Sequence, residues 1–218
     1  MLPKAKKVVY FVRHGQSVDN VLPVFQSAET PLSDKGQRQA VQIADRISSL
    51  SFDALISSTQ PRAAQTAQAI ASKTGKSVEF SKLFVERIKP TSIDGKPWDD
   101  DRASKVWRQW EESLYNPVSH IEDGENYDDI VQRADKALAY LLKRPEQSIV
   151  VVSHGYFLRT IVARVLLGNR LNGDIHRKIQ MVASMENTAI TVLFYTDAFE
   201  EDECWRLWTY NDHAHFAE

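Results

Sequence analysis

The chain has 218 residues, 43% of them hydrophobic and 26% charged, with a net charge of −2. This is the composition of an ordinary globular protein, and it supplies no global basic field to hold nucleic acid or an anionic membrane. The single cysteine, Cys204, excludes an internal disulfide and a thiolate metal cluster and fits a reducing compartment.

The basic start Met1 to Lys7 is followed by only a short apolar stretch before Arg13, too short for a signal-peptide core. No run approaches the roughly 18 apolar residues of a membrane span. A cytoplasmic protein is expected. Val8 to Val12 is continuously apolar, β-branched and aromatic, as in a strand buried on both faces of a parallel sheet. It stops at Arg13-His14-Gly15. Gln16 to Pro31 lacks periodicity and reads as a loop, placed where α/β folds bind ligands. Ser33 is the expected N-cap of a helix whose apolar stripe is Ala40, Ile43, Ala44 and Ile47.

Phe52 to Ser58 is a second strand. Pro61 then opens a small-faced helix, with Ala63, Ala64, Ala67, Ala69, Ile70 and Ala71, closed by Gly75. Ser77 to Phe80 is a third strand, followed by Leu83-Phe84-Val85-Glu86. Arg87 to Asn126 is more polar and is punctuated by Pro90, Gly95, Pro97, Pro117 and Gly124. It carries one helix, Ala103 to Leu114, and reads as a cap inserted over the sheet edge within a single domain spanning 1–218. Tyr127 to Lys143 is a stronger helix, bounded by Pro145. Ile149 to Val152 is a fourth strand ending in Ser153-His154-Gly155, and Tyr156 to Leu167 is an apolar helix closed by Gly168. Asn187 to Tyr195 and Cys204 to Tyr210 are fifth and sixth strands, joined closely enough for an antiparallel hairpin. The tail from Asn211 is expected to fray. Strands alternating with helices predict a three-layer α/β/α sandwich. Its central sheet has about six strands, mostly parallel with one antiparallel.

Four residues share one kind of position: Arg13 and His14 follow the first strand, Arg62 follows the second, and His154 follows the fourth. In a doubly wound sheet those strand ends form one edge, where helix N-termini favour anions. Two arginines and up to two imidazolium groups would hold a phosphoryl group, because a guanidinium matches phosphate oxygens with a bidentate fork. A neutral imidazole there can attack phosphorus and form a phosphohistidine. Glu86 is the best-placed carboxyl to protonate a leaving group and then activate water.

Arg13-His14-Gly15-Gln16-Ser17 with Asn20, Ser57-Ser58 through Arg62-Ala63 to Gln65-Thr66-Ala67, Glu86, and Ser153-His154-Gly155 occur in that order. Together they resemble the histidine phosphatase superfamily, also called phosphoglycerate mutase-like, over residues 8–167. The resemblance implies that His14 is the phosphorylated nucleophile. Arg13, Arg62 and His154 would complete the phosphate pocket, and Glu86 would be the proton donor. Asn20 would support the pocket, the Gly155 N–H would face the phosphate, and Gln26 and Ser27 would line the substrate entrance. It implies a small phosphorylated substrate, no metal, no organic cofactor, and room for a homodimer. The mutase branch carries a Phe-[Ser/Thr]-Gly-Trp type run where this loop reads Val24-Phe25-Gln26-Ser27-Ala28-Glu29. The chain is also short for that branch, so a phosphatase is favoured over a mutase. A phosphate-binding module without chemistry is the reading from another class, and every catalytic residue type is present against it.

The remaining candidates read as incidental. Asp99 to Asp101 favour the dipole of the following helix. His213-Ala214-His215 has a metal-like spacing in the tail, and His120 and His176 have no partner visible in sequence. Trp107, Trp110, Trp205 and Trp208 read as packing residues, with Trp107 or Trp110 able to line the cap. No Cys-x5-Arg loop, Gly-x-Ser-x-Gly elbow or Walker lysine loop is present.

Overall fold

The computed structural model describes residues 5–114, 119–197 and 204–216. The basic start, Pro117 and most of the acidic join between the last two strands lie outside them. Six strands form one sheet: β1 (Lys7–Arg13), β2 (Ala54–Ser57), β3 (Val78–Phe80), β4 (Ser148–Ser153), β5 (Ile190–Thr196) and β6 (Cys204–Asp212). Their order is β3-β2-β4-β1-β5-β6. β1, β2, β3 and β4 pair in parallel, whereas β5 runs antiparallel to both β1 and β6. β1 lies between β4 and β5, and its stretch from Val8 to Val12 is apolar because helices cover both faces of the sheet.

Six α-helices accompany the strands: α1 (Asp34–Ser48), α2 (Pro61–Thr74), α3 (Asp101–Glu112), α4 (Tyr127–Lys143), α5 (Gly155–Leu167) and α6 (Gly173–Val182). The two-residue period of the strands sends alternate side chains to opposite faces. Val9 and Phe11 of β1 pack with Ile149, Val151 and the stripes of α4 and α5. Val12, Val150 and Val152 pack with Ile43, Ala44 and Ile47 of α1 and Ala63, Ala67 and Ile70 of α2. Helices therefore cover both faces, and the three-layer expectation holds.

Local signals set the helix ends. Ser33 Oγ accepts from Gly36 N at 3.1 Å. Pro61 occupies the first turn of α2, and Gly75 ends it with φ +71°. Asp100 Oδ1 accepts from Ala103 N at 2.9 Å, so α3 starts two residues before the predicted Ala103. The 87–126 segment carries its own small cluster of Ile93, Ala103 and Trp110, against which Phe25 packs. Backbone bonds tie it to the 17–30 loop: Phe25 N donates to Lys96 O (2.8 Å), and Gly95 N donates to Phe25 O (2.9 Å).

Two features depart from the sequence reading. α6 was not anticipated, because it buries only His176 and leaves Ile175, Met181 and Val182 exposed, so it has no apolar stripe. The tail through residue 216 is not frayed. Asn211 and Asp212 complete β6, Arg46 pairs with Asp212, and Arg46 Nη1 lies 3.1 Å from His215 Nδ1.

Candidate active site

The β1 and β4 ends lie side by side, with Arg13 in register with Ser153. His14 N donates to Ser153 O at 2.9 Å, which places His14 beside His154. The two imidazoles are 4.9 Å apart between ring centroids. The loop before β5 holds the β1 end from its other side. Thr188 N donates to Arg13 O (2.9 Å), and Asn187 Nδ2 donates to His14 O (2.9 Å). Thr188 has φ +60°, costly for a β-branched residue and typical of backbone held at a functional site. Gly15 and Gly36 meet backbone to backbone: a Cβ on Gly15 would stand 2.6 Å from Gly36 O. Gly15 N donates to Thr66 Oγ1 on α2 at 3.1 Å.

His14 Nδ1 is 2.6 Å from Gly15 O. A carbonyl only accepts, so Nδ1 carries the proton and Nε2 keeps its lone pair. Arg62 Nε donates toward that lone pair at 3.3 Å. Burial, then Arg62, then Arg13, hold the His14 pKa well below the ordinary histidine value. His154 is shifted the same way by burial, Arg62 and His14. The sequence reading allowed up to two imidazolium groups beside a neutral nucleophile. Both rings are neutral, and the positive charge of the site is that of Arg13 and Arg62. His154 Nε2 lies 2.8 Å from Ser58 Oγ, while its Nδ1 is buried without a hydrogen-bond partner. Arg13 Nε is buried and unpartnered as well. Such orphaned groups are costly unless a ligand satisfies them. A Cβ on Gly155 would come 3.1 Å from Arg13 Nε, so the glycine lets the guanidinium lie against the start of α5.

Arg62 is 2% exposed and bonded on all sides. Its Nη1 donates to Ser27 O (3.1 Å) and Ala28 O (3.2 Å), and its Nη2 donates to Gln60 Oε1 (2.9 Å). Burial lowers its pKa to about 10, which still leaves it charged at neutral pH. Glu86 reaches the site from the segment after β3. Its carboxylate accepts from Phe157 N (3.0 Å) and Tyr156 N (3.3 Å), in the first turn of α5. Gln60 Oε1 also accepts from Glu86 N at 3.2 Å and so links Arg62 to Glu86.

A family model described as histidine phosphatase superfamily (branch 1) matches residues 9–212. The chain belongs to this superfamily. It is 31% identical over 166 residues to a probable phosphoglycerate mutase GpmB of Salmonella arizonae, covering 72% of this chain and 74% of that one. The fold matches solved phosphatases and hydrolases. A mycobacterial glucosyl-3-phosphoglycerate phosphatase aligns with TM-score 0.73 at 24% identity, over 94% of this chain and 99% of the other. A putative alpha-ribazole-5'-P phosphatase from Escherichia coli aligns with TM-score 0.76 at 20% identity, over 94% and 96%. An enzyme of the phosphatase or mutase type follows.

In this member of the histidine phosphatase superfamily the predicted residues divide into two groups. Arg13, His14, Arg62, Glu86, His154 and Gly155 come together at the sheet edge. Asn20, Gln26 and Ser27 sit in the 17–30 loop. Asn20 Oδ1 accepts from Ser17 N (3.0 Å), and Gln26 Nε2 donates to Ser17 Oγ. Gln26 lines the cleft beside Arg62 and Glu86. The Ser27 hydroxyl turns away to Asp94 (2.7 Å), and only the Ser27 carbonyl reaches Arg62. Gln60, Asn187 and Thr188 were missed. Gln60 precedes Pro61 and read as a helix start, and the Thr188 backbone conformation has no signature in sequence.

The remaining candidates have structural partners. His120 Nε2 pairs with Asp129 at 2.8 Å. His176 is buried between the Tyr127 and Tyr156 rings, with Nε2 2.9 Å from Thr160 Oγ1. His215 Nε2 lies 3.1 Å from Thr188 Oγ1. Among the described residues, no group of three or more His, Cys, Asp and Glu side chains is arranged to hold a metal ion. No helix among them is long and apolar enough to cross a membrane.

Proposed function

We propose that the protein is a metal-independent phosphomonoesterase that works through a phosphohistidine at His14 Nε2. The observation that carries this reading is the fixed tautomer: the Nδ1 proton is held by Gly15 O, and the free Nε2 lone pair faces Arg62. A bound phosphate would take over the Arg62 N–H now aimed at Nε2 and satisfy Arg13 Nε and His154 Nδ1. Nε2 then attacks phosphorus as the ester P–O bond breaks, and Glu86 gives its proton to the departing alkoxide. In the second half a water attacks the phosphohistidine, Glu86 takes the water proton, and the P–N bond breaks to release phosphate. The arginines stabilise charge on the transferring oxygens in both halves.

The relatives named as probable phosphoglycerate mutases make isomerisation the second reading. A mutase keeps its phosphoenzyme from water until the substrate has turned over. Here the loop lacks the mutase-type run, and the cleft beside Arg62 and Glu86 is bordered by the 38%-exposed Trp107. Both points favour hydrolysis, with the 87–126 segment acting as the cap that selects the substrate. Purified protein with excess chelator is expected to release phosphate from p-nitrophenyl phosphate and to leave the ratio of 3- to 2-phosphoglycerate unchanged. Interconversion of the phosphoglycerates faster than phosphate release would assign it to the mutases.

A further inference from the structure

The leaving group of the substrate must lie outward of Arg62 and Glu86. A cleft of about 220 Å³ is lined by these two residues, by Gln26 and Gln60, and by the aromatic Phe25, Trp107, Trp110 and Tyr156. Trp110 and Phe25 also belong to the packed cluster of the 87–126 segment, whereas Trp107 lies outside it. Trp107 is 38% exposed, and its ring stacks on Phe25 with 6.0 Å between centroids and 28° between planes. Trp110 is buried and braced from below, with its Nε1 donating to Glu125 O at 2.9 Å and the Arg87 guanidinium 3.5 Å from its ring centre.

The cations bordering this cleft are already committed. Arg87 pairs with Glu111 at 2.7 Å and donates to Trp110 O at 2.9 Å. Lys89 pairs with Asp94 at 2.9 Å. Arg62 gives Nη1 and Nη2 to Ser27 O, Ala28 O and Gln60 Oε1 and turns Nε toward the phosphate end. Farther out, Lys82 shares the adjoining cleft with Glu29, a residue of opposite charge. Within this cleft a carboxylate or second phosphate on the leaving group would therefore meet Glu86, Glu111 and the paired cations Arg87 and Lys89. An apolar ring would meet aromatic faces, with which it stacks favourably.

We infer that the alcohol released by this enzyme carries a planar, uncharged ring, bound against Trp107, Phe25 and Tyr156. This inference rests on the phosphatase reading and specifies its substrate class. Trp107 is then a specificity-determining residue, and the 87–126 segment contributes the ring-binding wall.

The test uses alkyl esters of similar leaving-group reactivity, so that binding rather than intrinsic lability is compared: naphthylethyl phosphate, n-butyl phosphate and 3-phosphoglycerate. The value of kcat/KM for naphthylethyl phosphate is expected to exceed the other two by about tenfold or more. In Trp107→Ala the naphthylethyl-to-butyl ratio is expected to collapse through KM, and Trp107→Phe is expected to restore most of it. Equal values for the naphthylethyl and butyl esters, or 3-phosphoglycerate as the best substrate, would overturn the inference while leaving hydrolysis at His14 intact. A strong preference for a ring bearing a second phosphate would also overturn it, and would point to Arg108, Arg159 and Arg177, which line the groove on the other side of Trp107 and Tyr156. Absence of phosphate release from all three esters and from p-nitrophenyl phosphate would instead remove the phosphatase reading, and this inference with it.

Discussion

At the residue scale the site is a division of labour between charge and neutrality. The buried Arg62 and the partly buried Arg13 supply the positive field, and that same field with burial keeps His14 unprotonated and nucleophilic. Glu86 is held by two N–H groups of α5, so its carboxylate sits beside the site without needing a cation of its own. If Glu86 donates the leaving-group proton, Glu86→Gln is expected to lower kcat/KM for alkyl phosphates, which reports the phosphorylation half alone, by about 10²-fold. The loss should be much smaller for p-nitrophenyl phosphate, whose leaving group needs no proton. An equal loss for both would remove Glu86 from that role. His14, Arg62 and His154 were legible in the sequence because each directly follows a strand or opens a helix at the same sheet edge. Gln60 was not, because a glutamine before Pro61 carries no mark of the two bonds it accepts from Arg62 and Glu86. The protonation of the second histidine was left open for a related reason: burial, the largest cause of the shift of both rings, is not visible in a residue count.

At the element scale, the position of the nucleophile depends on how closely α1 approaches the end of β1. A Cβ on Gly36 would stand 1.9 Å from Gln16 O, inside any permissible contact. Gly36→Ala must push α1 and the 15–17 backbone apart. It is expected to cost about 1–3 kcal/mol, read as a lower urea midpoint, with a parallel fall in kcat. Unchanged stability and activity would mean that this contact does not hold His14 in place. Elements with a strong period were read correctly, as the α1 stripe of Ala40, Ile43, Ala44 and Ile47 shows. α6 was invisible because its one buried residue is the polar His176. The tail was misread for lack of any local signal: Asp212 and His215 are held by Arg46, more than 160 positions earlier in the chain.

At the scale of the whole molecule, several histidines are folded in the neutral state, and this couples stability to pH. His14 and His154 lie well below the ordinary histidine value, and His176 is lowered to about 4. The folded protein thus binds protons less readily than the unfolded chain, whose histidines titrate near about 6.5. Stability is complete above that pH and declines as pH falls below it, because unfolding then takes up protons. His176 alone accounts for about 3 kcal/mol of loss by pH 4. Urea midpoints are expected to be level between pH 7 and 8 and to fall steeply between pH 6.5 and 4.5. A flat profile across the lower range would show that these histidines take up protons without unfolding. With a net charge of −2 the molecule has no overall attraction for anions, so the phosphate field is confined to the one edge where β1, β2 and β4 end.

The central claim is that His14 becomes covalently phosphorylated, and rapid quenching with labelled substrate tests it most directly. Wild-type protein mixed with a ³²P-labelled phosphomonoester and quenched in alkali is expected to retain acid-labile, alkali-stable label on the peptide containing His14, approaching one per chain. The label should be absent in His14→Ala. Label retained in that variant, or turnover by the wild type with no labelled protein at any quench time, would contradict the account.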